Sequence, residues 1–177
     1  DAEEARKAVV AAAAAKGPSY IRFGRTAVPT FSTPETPFEI GKSYLLWKSE
    51  KPRIALLGNG PLVYEALLAA RALEADGIGS IVLSLPTVKP LDEEAVLAVA
   101  KLCGRVITIE EHQAMGGFGS AVAEFLSEHY PIPVARIGVQ DAFGQSGEPS
   151  ELIEHYGLDH SAIAARARRM LGEKGIV

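Results

Sequence analysis

The chain has 177 residues, enough for one domain with a sizeable core, or for one domain and a fragment of another. Hydrophobic residues make up 47% and charged residues 23%, an ordinary globular mixture that excludes a disordered chain. The net charge of −4 argues against nucleic-acid binding, the single cysteine (Cys103) excludes an internal disulfide framework and fits a reducing, cytoplasmic setting, and no apolar run reaches the roughly 20 residues that span a membrane.

The chain opens at Asp1 without an initiator Met, which suggests a processed, trimmed or excised protein. Glu3 and Glu4 lead an alanine run, whereas a secretory signal starts basic. Residues 2–16 therefore read as an amphipathic helix stopped by Gly17-Pro18. Residues 19–23 (SYIRF) alternate and carry strand formers. One helix and one strand cannot bury their faces alone, so residues 1–25 read as the last piece of a larger α/β domain. Pro29, Pro34 and Pro37 make the next stretch an extended linker, with a domain boundary near residue 37.

From there the pattern is regular. Strands are expected at residues 43–48, 53–57, 80–85, 105–110 and 133–137. Helices are expected at 61–76, 92–102, 120–129, 150–156 and 161–171. Gly77 and Gly157 act as helix stops, and Asp92 as an N-cap. Strands alternating with helices at this spacing predict βαβ units and a largely parallel sheet covered on both faces.

Few motifs carry chemistry. Gly58-Asn59-Gly60 lies between a strand and a helix, but Val63 stands where a dinucleotide fingerprint has its third glycine, so a tight turn is the reading. Lys89 reads as a solvated lysine. His129, His155, His160 and Cys103 have no metal-ligand spacing. Glu110-Glu111-His112 closes a strand and runs into Gly116-Gly117-Phe118-Gly119-Ser120 at a helix start. Free amides there can hold an anion, and His112 near carboxylates can act as acid or base. Equally, Glu111, His112, Gly116, Gly117, Gly119 and Ser120 can build a sharp turn or an interface. Arg22 and Arg25 each suit a phosphate ligand or a surface ion pair.

Taken in order, GPSYIRFGR (17–25), FEIGK (38–42), KPLD (89–92), EEH (110–112), GGFGS (116–120), IGVQD (137–141) and GQSG (144–147) resemble the C-terminal part of the transketolase family, in particular the C-terminal section of split bacterial and archaeal transketolases. 1-Deoxyxylulose-5-phosphate synthase and the beta subunits of 2-oxo-acid dehydrogenases share much of this set, and a free-standing interaction module is a further alternative. The resemblance implies that residues 38–177 form a three-layer α/β/α sandwich on a five-stranded mixed sheet whose first strand is antiparallel. It implies that residues 1–25 end a pyrimidine-binding domain and that 26–37 link the two. The complete enzyme would bind thiamine diphosphate and Mg²⁺ and transfer a ketol unit between sugar phosphates, as a cytoplasmic enzyme of the pentose phosphate pathway. Its partners would be a second copy and the N-terminal transketolase section. The family's Gly-Asp-Gly…Asn cofactor motif is absent here, so this chain alone is expected to bind no cofactor, to catalyse nothing and to serve a structural, dimerising role. By motif, Arg25 would contact substrate phosphate in the assembled enzyme.

Overall fold

The computed structural model describes residues 1–172. Its elements are α1 (Ala2–Ala14), β1 (Tyr44–Lys48), β2 (Ile54–Gly58), α2 (Val63–Ala75), β3 (Ser80–Ser84), α3 (Glu93–Cys103), β4 (Val106–Gln113), α4 (Phe118–His129), β5 (Val134–Val139), α5 (Pro149–His155) and α6 (His160–Leu171). A short 3₁₀ turn, Gly60–Leu62, leads into α2 with Pro61 in its first turn.

The five strands form one sheet in the order β1-β3-β2-β4-β5. β1 runs antiparallel to β3, and the other pairs are parallel. Every residue of β2 and β3 is buried, as their continuous apolar runs require of strands covered on both faces. The pleat divides β2 between two cores. Ile54 and Leu56 pack with Ala66 and Leu73 of α2 and Ile163 and Ala167 of α6. Ala55 and Leu57 pack with Val96 and Ala100 of α3 and Val122 and Leu126 of α4. Helices thus cover both faces, which makes the α/β/α sandwich with an antiparallel first strand.

Local signals end the helices where expected. Gly104 closes α3 in the left-handed conformation at φ 68°, which costs a glycine little. The Asp92 carboxylate caps the other end, accepting from Ala95 N at 3.3 Å. It also accepts from the Ser43 amide at 2.7 Å and the Ser43 hydroxyl at 2.8 Å, so one side chain joins α3 to the start of β1.

One expectation differs from the structure. Residues 19–23 form no strand: they are exposed and without regular structure, with no ladder partner among the described residues. Strand formers alone do not make a strand, because its amides and carbonyls need a neighbouring edge. The linker segment is held against the start of the chain. The Asp1 carboxylate accepts from Phe31 N at 2.8 Å and Ser32 N at 2.6 Å. Lys7 Nζ donates to the carbonyls of Thr33 at 2.5 Å and Thr36 at 2.6 Å. Helix α1 therefore clasps residues 31–36, although none of its own residues is buried.

Candidate functional site

The corner between β4 and α4 is organised by Glu110, the first residue of the strand-end cluster Glu110-Glu111-His112. Glu110 is only 3% exposed. A buried carboxylate needs partners, and the first turn of a helix has amides without any. Glu110 Oε2 accepts from Phe118 N at 2.9 Å, and Oε1 from Gly119 N at 2.7 Å. The positive end of the α4 dipole adds to the attraction. A warning signal was present: Glu110 ends a run in which Val106, Ile107, Thr108 and Ile109 are all buried, so its carboxylate had to find donors. Which donors, eight and nine residues on, was not legible locally.

The glycines follow from this cap. A Cβ on Gly117 would fall on Glu110 Oε2 and lie 2.6 Å from Gln113 O. A Cβ on Gly119 would fall on Thr108 Oγ1 and lie 3.1 Å from Glu110 Oε1. Gly116 turns the chain at φ 71° and donates its amide to Ser120 Oγ at 2.9 Å. Ser120 Oγ donates to Ala114 O at 3.2 Å. Arg136 Nη1 donates to Ala114 O and to Ser120 Oγ, both at 2.8 Å. The amides of Gly116, Phe118 and Gly119, which an outside anion would need, are thus engaged within the chain.

Glu111 and His112 lie in β4, which runs on to Gln113, and not in the following loop. The ladder with β5 shifts register between Ile109 and Gln113, so this end of the strand is irregular. Glu111 Oε1 accepts from Arg22 Nη1 at 2.8 Å. His112 is exposed. The structure thus gathers Glu111, Gly116, Gly117, Gly119 and Ser120 at one corner and ties Arg22 to it. Arg25 is not drawn in: it stands exposed at a bend, with no hydrogen bond or ion pair among the described residues.

Beside the corner, Gln113 holds the loop after β5. Its Nε2 donates to Ala142 O at 3.1 Å, and its Oε1 accepts from Asp141 N at 3.0 Å. Tyr156 Oη donates to Phe143 O at 3.0 Å. This ordered loop presents Phe143 99% exposed.

At the sheet's switch point, Asn59 Nδ2 donates to Leu85 O at 2.6 Å, and Asn59 N to Ile109 O at 3.0 Å. The turn after β2 is tied to both neighbouring strands. Elsewhere Cys103 is a free, buried thiol, pushed up to about 11 by burial. His160 pairs with Glu65 at 3.0 Å. No described helix is long and apolar enough to cross a membrane. Among the described residues, no three His, Cys, Asp or Glu side chains come together as a metal-ligand group.

A family model described as transketolase, C-terminal domain, matches residues 43–163. The chain is 41% identical over 174 residues to the 6-deoxy-6-sulfo-D-fructose transketolase subunit SqwH of Clostridium sp. (strain MSTE9), covering 98% of this chain and 53% of that protein. It is 38% identical over 168 residues to an apulose-4-phosphate transketolase subunit of Phocaeicola vulgatus, covering 94% and 53%. Among solved structures, a split gene transketolase described as an inactive beta4 tetramer superposes with a TM-score of 0.92 at 43% identity, over 99% of this chain and 57% of that one. The chain spans about half the length of the curated relatives it matches.

Proposed function

This chain belongs to the transketolase family through its C-terminal domain, and from that membership we propose that it is the C-terminal portion of a thiamine-diphosphate-dependent transketolase. The assembled enzyme moves a two-carbon ketol unit between sugar phosphates. The observation that carries this reading is the likeness to a split gene transketolase over nearly the whole chain, including residues that precede the matched domain.

In this reading residues 1–25 end a pyrimidine-binding domain, 26–37 link it, and 38–177 are the C-terminal domain. The absence of any buried residue in α1 supports it, since a helix that covers little of its own surface is suited to meet another. Thiamine diphosphate and Mg²⁺ sit on other parts of the enzyme, where the cofactor supplies the carbanion chemistry. This chain contributes contact surface, to a second copy and to the N-terminal section. The corner of Glu111, His112, Gly116, Gly117, Gly119 and Ser120 serves as interface, and exposed Phe143 and Met115 support that use. Arg25 binds substrate phosphate; an exposed guanidinium with no internal partner is free to do so. One curated relative is named for a sulfo sugar and the other for a sugar phosphate; of these we propose sugar phosphates as the class, pentose phosphates among them, and the cytoplasm as the compartment.

The test is reconstitution. This chain is combined with the N-terminal section, thiamine diphosphate and Mg²⁺, and ketol transfer is measured. Activity that needs both sections is expected, with an Arg25→Ala variant raising KM for fructose 6-phosphate about tenfold or more, the worth of a charged hydrogen bond. No transfer between any sugar phosphates would overturn the reading.

A further inference from the structure

We infer that Glu111 is a positioning residue for Arg25, acting through its ion pair with Arg22; this rests on the proposed role of Arg25 in binding substrate phosphate.

Residues 15–30 carry both arginines and contain no helix or strand. Such a segment binds weakly unless it is held, because ordering its backbone on binding costs conformational entropy. The structure holds this one from two sides. On one side α1 clasps residues 31–36 through Asp1 and Lys7. On the other, Arg22 Nη1 reaches Glu111 Oε1 at 2.8 Å across 89 residues of sequence and ties the segment to the sheet domain. Three residues of chain span at most roughly 10 Å, so a fixed Arg22 keeps the Arg25 backbone within about that distance, near the carboxyl end of β4. Glu111 is itself well placed to serve as anchor. Its neighbour Glu110 is locked to the first turn of α4, so the backbone that carries Glu111 is rigid. The two arginines thereby divide the two roles open to each: Arg22 makes the ion pair, and Arg25 is left available.

The size of the effect follows from exposure. The pair is 50% and 28% exposed on its two sides. Exposed pairs contribute little to stability, commonly under about 1 kcal/mol. Loss of the pair should therefore leave the fold intact and show in substrate binding, at a factor of about three to five.

The assembled enzyme is the system for the test, with fructose 6-phosphate and unphosphorylated fructose as donors. Glu111→Gln should raise KM for fructose 6-phosphate about three- to fivefold, with kcat and the KM for fructose unchanged. The reversed pair, Arg22→Glu with Glu111→Arg, should restore KM to within about twofold. Tryptic cleavage after Arg25 reads the order of the segment without turnover, and it should quicken in Glu111→Gln and slow again in the reversed pair. Arg25→Ala is the reference. If Arg25→Ala raises KM for the phosphorylated donor and Glu111→Gln changes neither KM nor cleavage, the positioning role is overturned while the phosphate role stands. Equal losses on both donors in Glu111→Gln would also overturn it, by showing general damage. If Arg25→Ala has no effect on the phosphorylated donor, both roles fall.

Discussion

The Glu110 carboxylate reaches forward to the backbone amide of Gly119 at 2.7 Å and closes the first turn of α4 onto the end of β4. A second bond, to Phe118 N at 2.9 Å, makes the grip two-pronged. Removing it leaves two buried amides without acceptors, each costing about 1–3 kcal/mol. Glu110→Ala should therefore lower unfolding free energy by about 2–6 kcal/mol. Glu110→Gln, which keeps one acceptor oxygen, should lose less. Denaturant titration of the purified protein checks both values.

Gly119→Ala sets two effects against each other. Alanine favours a helix over glycine by about 1 kcal/mol. Its Cβ would meet Thr108 Oγ1, with Arg136 Cγ at 3.1 Å, inside a packed corner. Overpacking of that kind costs typically about 1–3 kcal/mol. The clash should win, so Tm falls in a thermal melt despite the better helix propensity. An unchanged or higher Tm would show that the corner yields.

Asp92 governs an acid limb of stability. Burial opposes its ionisation, but the hydroxyl and amide of Ser43, the amide of Ala95 and nearby Lys42 together hold the carboxyl below its ordinary value of 3.8. A lowered folded value means stability is present above the unfolded value and lost as pH falls through the folded one. Unfolding free energy should therefore drop below about pH 4. Asp92→Ala should cost about 1–2 kcal/mol at neutral pH, as lost caps do, and flatten that limb. Melts on both proteins from neutral to strongly acid pH test this.

Cys103 governs the opposite limb. Burial raises its thiol from 9.0 to about 11, with Lys48 pulling weakly the other way. A raised folded value means its contribution is complete below the unfolded value and lost as pH climbs through the folded one. Stability should decline from about pH 9 to 11, by up to about 2 kcal/mol, and Cys103→Ala should remove that part of the decline. At about pH 8 the thiolate fraction is small, so iodoacetamide should label the folded protein far more slowly than the unfolded one. Rapid labelling of the folded protein would contradict the burial.

Much of the fold was legible from local order. The runs RIALL and SIVLSL are apolar at nearly every step, and only strands covered on both faces hide such runs. Asp92 marked the start of α3 by chemistry that acts within a turn. The division of β2 between two cores also follows from pleating. The site was legible in part. Gly116, Gly117, Gly119 and Ser120 signalled a tight strand-to-helix passage, and Arg22 and Arg25 signalled anion or carboxylate partners.

What sequence by itself determined, then, was the run of strands and helices from β1 to α6, because period, caps and stops act over a few residues. Tertiary structure alone decided the rest. Residues 19–23 carry strand formers yet join no strand among the described residues, since a strand exists only beside another edge. Glu110 became the cap of α4 because the crossover from β4 returns the helix start to the strand that precedes it. Arg22 paired with Glu111, leaving Arg25 free, because the fold brings together residues 89 positions apart. Those three outcomes depend on contacts that cost chain entropy to close, and no local propensity encodes which of them the assembled sheet will satisfy.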